Sequence, residues 1–211
     1  MDMQSVMNEL GKKRPVFHSE ADFQFALAWM IQKKHPDVRI RLEYPYLCKE
    51  PFYGKNKKAK TKLNIDILIW QGDNVIPIEL KYLTSKISKY EDKKNNEIFN
   101  VNSKGKKWGR LDTLEDIARI EHFKNENANC EVGYSIMLTN DASYEQNPPE
   151  NDKIAKNLKL TGTIGGKYDY YGNADQRATV LINGNYQADW ARYSPIHGEK
   201  VISFRYMMVK I

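Results

Sequence analysis

Two acidic residues and a lysine stand at a spacing that a tight hairpin brings together: Asp66 in LNIDILIW, and Glu79 and Lys81 in VIPIELKY. The segments flank QGDN at 71–74, whose residue types suit a turn. With Gly72-Asp73 as the loop, and Gly72 supplying the positive φ of a type II′ turn, Asp66 falls directly opposite Glu79. Side chains paired in this way share one face, with Cβ atoms roughly 5 Å apart. Lys81, two residues beyond Glu79, points to the same face. Facing carboxylates repel, so a sequence that keeps them needs positive charge beside them. A divalent cation supplies it, and hard oxygen ligands in small number favour Mg²⁺ or Mn²⁺. Such an ion would lower the pKa of a bound water and offset charge developing at phosphorus. Lys81 is expected to orient or deprotonate the attacking water, or to neutralise the transition state, if the metal and burial depress its pKa.

These side chains need elements to hold them. A helix is expected from about Glu20 to Lys34, capped by Ser19, with Asp22 as the capping-box partner. Its apolar stripe runs Phe23, Leu27, Met30 and Ile31, and Glu20 falls on that inward stripe in the first turn, as a third acid for the metal. RIRLEY alternates as a half-buried strand, and LNIDILIW and VIPIELKY are the second and third strands. Residues 84–110 are polar and lysine-rich and are expected as a long loop or partly helical excursion. A helix over about 113–123, with Asp112 and Glu115 available for a cap, leads to the apolar strand VGYSIMLTN. A strand, a crossover helix and another apolar strand imply a parallel pair and a mixed sheet. Beyond Asp141 a weak helix at 151–159 and strands in ATVLING and VISFRYMMVK are expected, around the aromatic segment NYQADWARY. Residues 1–15 are polar and are expected as an arm or short helix outside the core. The remainder, 16–211, makes one domain, with a core over 17–140 and a strand-containing extension over 141–211.

The chain carries 33 basic and 27 acidic residues, a formal +6. The excess is concentrated. Residues 51–62 hold five lysines (Lys55, Lys57, Lys58, Lys60, Lys62), a local +5, and residues 86–107 hold seven lysines against three acids, a local +4; everything else is mildly acidic. The first run precedes the Asp66 strand and the second follows the Lys81 strand, so both are placed to flank a polyanion, with salt-dependent phosphate contacts. With 41% hydrophobic residues the composition is that of a folded domain. Cys48 and Cys130 form no C-x-x-C pattern, which disfavours a disulfide scaffold or zinc ribbon, and no apolar leader or span is evident. A reducing cytoplasm without membrane attachment is expected.

The order of a helix with Glu20, a strand, Asp66 in a second strand, Glu79-Leu80-Lys81 in a third, then a crossover helix and a fourth strand resembles the PD-(D/E)XK nuclease superfamily over residues 17–140. The resemblance implies an α/β fold with a restriction-endonuclease-like core: a mixed central β-sheet flanked by helices. It implies Mg²⁺ (or Mn²⁺) held by Asp66, Glu79, the Leu80 carbonyl and Glu20, with Lys81 serving catalysis. It implies a metal-dependent endonuclease or phosphodiesterase acting on nucleic acid, DNA before RNA, and dimerisation suits an enzyme that cuts both strands of a duplex. The family's proline before the Asp is replaced by Ile65. Lys55, Lys57, Lys58, Lys60 and Arg119 are the expected substrate contacts, although an i,i+3 pair of Asp116 with Arg119 accounts for much of that helix's charge. His18 reads as a hydrogen-bonding residue near the helix cap. The C-terminal aromatics Tyr168, Tyr170, Tyr171, Tyr186, Trp190 and Tyr193 suit base stacking or a hydrophobic subdomain equally. The segment GTIGGK lacks P-loop spacing. Two other readings stay open: a nucleic-acid-binding module of the same fold without turnover, and a protein-interaction module whose acids are structural.

Overall fold

In the computed structural model the described residues are 1–93, 95–103, 108–171, 177–197 and 201–211. Helix α1 (Met3–Lys13) and helix α2 (Glu20–Lys34) precede strands β1 (Arg39–Tyr53), β2 (Ala59–Gln71) and β3 (Asn74–Leu83). A small hairpin, β4 (Ile87–Asp92) and β5 (Glu97–Val101), leads to helix α3 (Gly109–Glu126) and strand β6 (Tyr134–Thr139). Strands β7 (Gly162–Tyr171), β8 (Arg177–His197) and β9 (Val201–Lys210) complete the chain. Seven strands form one sheet in the order β1-β2-β3-β6-β9-β8-β7. β3 and β6 run parallel and the other neighbours antiparallel, so the sheet is mixed, and α3 lies in the crossover between the parallel pair.

The sheet separates two apolar layers. On one face, Ile67, Ile69, Ile76, Ile78, Leu80 and Tyr82 pack with Phe23, Leu27, Met30 and Ile31 of α2 and with α1. On the other, Leu83, Met137, Met207 and Val209 pack with Leu111, Leu114, Ile117 and Ile120 of α3. Each fully buried Leu, Ile or Phe contributes about 1.5–3 kcal/mol of transfer free energy. The sheet is therefore a firm base for whatever its strand ends carry.

Helix α2 starts where the sequence places it: Ser19 Oγ accepts from Asp22 N at 3.1 Å. The Asp22 carboxylate caps His18 N, at 3.0 Å, and forks onto Arg14. The β2–β3 turn has the expected register, with Gln71 opposite Asn74 and Ile67 opposite Ile78. Gly72 has φ +61° and Asp73 is not left-handed, the signature of a II′ turn.

Several expectations are corrected. Residues 1–15 are not outside the core: Met3, Val6, Met7 and Leu10, at i, i+3, i+4 and i+7, bury the inner face of α1. Residues 84–110 contain the β4–β5 hairpin, which buries Ile87, Phe99 and Val101. The α3 helix starts at Gly109 after Trp108, with no side-chain cap. Residues 151–157 form turns rather than a helix, and β7 is a strand that the glycines of GTIGGK conceal. NYQADWARY is continuous with ATVLING in the long strand β8. No helix among the described residues is long and apolar enough to cross a membrane.

Candidate functional site

The strand pair β2–β3 comes apart at the residues of interest. Its ladder ends at Ile67 opposite Ile78. Alternation in β2 slips here as well: Ile65 and Leu68 join the cluster around Phe123 of α3, whereas Ile67 and Ile69 face α2. On the neighbouring strand Glu43 has φ +50° and the ladder skips its pairing with Asp66. A left-handed glutamate costs roughly 1–2 kcal/mol, so the surrounding packing must hold this kink in place.

Splaying leaves backbone groups of β3 without strand partners, and acidic side chains take them. Asp66 Oδ2 accepts from Leu80 N at 2.6 Å, and Glu20 Oε2 accepts from Tyr82 N at 2.8 Å. Gln24, one turn after Glu20 on α2, donates to the Asp66 carbonyl at 2.7 Å and to Glu43 Oε1 at 2.8 Å. The result is a cleft of about 300 Å³ lined by Ser19, Glu20, Ala21, Gln24, Glu43, Asp66 and Leu80. Glu20, Asp66 and Leu80, all expected here, meet at the cleft.

Glu79 and Lys81 project toward α3. Glu79 is fully buried, with Oε1 3.0 Å from the Arg119 guanidinium and neither oxygen in a hydrogen bond. Lys81 Nζ donates to the Leu80 carbonyl at 2.9 Å and pairs with the buried Asp116 at 2.7 Å. Arg119 also faces Asp116 at 3.5 Å and donates to the Asn64 carbonyl. Among the described residues, Asp66, Glu79 and Asp116 thus crowd about Lys81 and Arg119.

The protonation equilibria carry the mark of that crowding. Burial pushes the Glu79 carboxyl well above the ordinary glutamate value, Arg119 acting against it and the nearby Asp66 and Asp116 with it. Burial likewise raises Asp66, with Lys81 and the Leu80 N–H opposing, and pushes Asp116 up to about 6. For Lys81, burial works against the ammonium, but Asp116, Glu20 and Asp66 outweigh it and hold the pKa above the lysine range. Among these acids Lys81 stands as a positive charge.

The basic residues divide. Lys55 pairs with Asp112 and with Glu115 at 3.3 Å, and Lys60 with Glu115 at 3.1 Å, so both pin the β1–β2 turn to α3. Arg119 serves the buried centre rather than the surface. Lys57 and Lys58 are exposed at the turn and Lys62 is exposed on β2. Of the second lysine run, Lys94, Lys104, Lys106 and Lys107 lie outside the described residues. His18 faces Glu97 at 3.0 Å and stacks on Phe99, a local structural role. Among the aromatics, Tyr168, Tyr170 and Tyr193 are buried, while Tyr186 binds Glu121 and Trp190 the Leu160 carbonyl. Tyr168, Tyr170, Tyr186 and Trp190 build the core beneath α3, whereas Tyr193 packs on Phe17 in the layer of α1 and α2.

Glu43, Gln24 and the pairing of Asp116 with Lys81 were not among the expected site residues. Gln24 carried a signal, the i,i+4 spacing from Glu20 on one helix face. Glu43 carried none, because strand alternation assigns it to the solvent face and nothing in the sequence marks its left-handed backbone. Comparison with protein-family models, with curated proteins and with solved structures finds no match for this chain.

Proposed function

We propose that this protein is a divalent-metal-dependent nuclease with a restriction-endonuclease-like core, hydrolysing phosphodiester bonds of DNA. The observation that carries the reading is the acid buried at the splayed end of β2 and β3: among the described residues Asp66, Glu79 and Asp116 crowd about Lys81 and Arg119, and both oxygens of the fully buried Glu79 lack a hydrogen bond. Buried carboxylate oxygens that make no hydrogen bond are rare in folded proteins, and a bound ion is one arrangement that satisfies them. The donor chemistry suits Mg²⁺ or Mn²⁺, since Glu20, Asp66, Glu79 and the Leu80 carbonyl are all hard oxygens, but the three carboxylates do not gather within 4.8 Å of one another, so an ion would have to draw them together. A bound ion supplies an acidified water and offsets charge at phosphorus.

The chain's own groups do the rest. The Leu80 N–H fixes the Asp66 carboxylate and the Tyr82 N–H fixes Glu20, so neither acid swings freely. Lys81, anchored between the Leu80 carbonyl and Asp116, keeps its charge beside the reacting phosphate and orients water through its ammonium. Exposed Lys57, Lys58 and Lys62 offer sequence-independent phosphate contacts.

A second reading has its own support: Arg119 already faces Glu79 and Asp116 already holds Lys81, the pairing expected of a binding module that has lost turnover. Incubating the protein with duplex and single-stranded DNA, with Mg²⁺ and with chelator, distinguishes them. Metal-dependent product that Glu79→Ala abolishes supports the nuclease. Equal cleavage by the variant or in chelator refutes the mechanism, and salt-sensitive binding without product under any divalent ion supports the module.

A further inference from the structure

A second group of donors sits one turn along α3 from Arg119. His122 and Glu126, four residues apart, share a helix face, and Cys48 reaches them from β1. One donor atom from each lies within 4.8 Å of the other two, and among the described residues no other trio of Cys, His, Asp or Glu donors comes so close. His122 Nε2 stands 3.4 Å from Glu126 Oε1. Ligands bound tetrahedrally to zinc at about 2.0–2.3 Å lie ~3.3–3.8 Å apart, so one edge of a tetrahedron is already at length.

The chain is shaped around this point. β1 loses register with β2 between Leu47 and Phe52, the kind of bulge that re-aims a side chain. The bulged backbone brings Lys49 N (3.1 Å) to Glu126 Oε2 and Glu50 N (2.6 Å) to Oε1, and the Tyr46 hydroxyl donates to Oε2. Outer contacts of that sort orient a ligating carboxylate. They account for Glu126 by itself but leave His122 unexplained. Its Nε2 is sealed from solvent and makes no hydrogen bond, an exception to the rule that buried polar atoms find partners. An imidazole nitrogen beside a thiol is donor chemistry for borderline cations, unlike the all-oxygen cleft.

We infer that Cys48, His122 and Glu126 form a binding site for a divalent transition metal of the zinc class, with water completing the tetrahedron. On binding, the Cys48 thiol releases its proton to solvent, and thiolate and carboxylate together match the charge of the ion. The ion would tie β1 to α3 one turn from the arginine that holds Glu79. This inference does not depend on the nuclease reading.

Cobalt(II) added to the metal-free full chain tests it. The expected result is a thiolate-to-cobalt charge-transfer band with the visible bands of tetrahedral cobalt, saturating at one ion per chain and displaced by Zn²⁺ but not by excess Mg²⁺. Cys48→Ala should abolish the charge-transfer band, and His122→Ala should weaken binding by about tenfold or more. Both should keep the thermal midpoint of the metal-free protein within a few degrees, and Cys130→Ala should leave the band intact. A band that survives Cys48→Ala, a purely octahedral spectrum, displacement by Mg²⁺, or no binding at all by the folded protein would overturn the assignment.

Discussion

Replacing Glu79 with glutamine separates two accounts of the buried centre by the sign of a stability change. Were Glu79 only the partner of Arg119, its loss would break a buried pair and destabilise the fold by about 3–5 kcal/mol. The geometry argues for the opposite sign. Arg119 keeps Asp116 at 3.5 Å and the Asn64 carbonyl, and glutamine fills the same volume. Asp66 and Asp116 still face Lys81 and Arg119. Burial already holds the Glu79 carboxyl well above its ordinary value of 4.5, which means that the folded state resists the charged form. Neutralising it should therefore stabilise, by about 1–3 kcal/mol on the scale of other replaced buried charges, or ~2–12 °C in Tm for a chain of this length. The pH dependence has a definite direction. An acid whose folded pKa is raised costs nothing below its unfolded value, and the cost appears as pH rises from there toward the folded value. Wild type and Glu79→Gln should therefore converge as pH falls to 4.5 and diverge above it. Thermal melts at several pH values, with and without Mg²⁺, read both effects. At a hundred times its Kd, Mg²⁺ adds about 2.7 kcal/mol to wild type and less to the variant. A lower Tm for Glu79→Gln at neutral pH, or equal responses of the two proteins to Mg²⁺, would refute the reasoning.

Much of the centre was legible because strand and helix periods are rigid rulers. The II′ turn at Gly72 sets the β2–β3 register, and the inward stripe of α2 carries Glu20 to the sheet. What escaped is what periodicity does not encode. Alternation assumes a regular strand, whereas β2 slips at Asp66 and β1 turns left-handed at Glu43, so Asp66 meets the Leu80 backbone rather than lying flat beside Glu79. Composition misled in three other places. The polar surface of α1 hides four apolar residues at helical spacing, lysines mask the buried positions of β4–β5, and glycines interrupt the Ile164, Tyr168 and Tyr170 pattern of β7. In each case burial is decided by a few residues, while overall polarity reports the solvent side. The lysines show the same limit from another direction. A run of charge reads as one surface, yet Lys55 and Lys60 are occupied by α3 acids while Lys57 and Lys58 are exposed.

Three further perturbations follow from individual contacts. Gln24→Leu removes both hydrogen bonds that hold the Asp66 carbonyl and Glu43, and should lower metal-dependent cleavage or metal affinity about 10–100-fold, read from Mg²⁺ titrations of rate; unchanged metal dependence would count against its positioning role. Lys57→Glu with Lys58→Glu should weaken DNA binding uniformly across sequences and reduce the salt slope by about 1 per lost phosphate contact; an unaltered slope would remove the β1–β2 turn from the interface. Glu115→Gln tests how that turn is held. Gly54 lets the Glu115 carboxylate lie against the backbone, where any Cβ would collide with it, and Lys60 and Lys55 close over it. Burial opposes the Glu115 charge, but the two lysines outweigh it and hold the carboxyl below its ordinary 4.5. A depressed folded pKa contributes stability that is present above 4.5 and lost as pH falls through the folded value. The lysines are partly solvated, so the variant should lose only about 1 kcal/mol at neutral pH, with faster amide exchange over residues 54–60. In urea melts the difference from wild type should vanish in acid. A gap that persists there would mean that Glu115 acts through packing rather than through its charge.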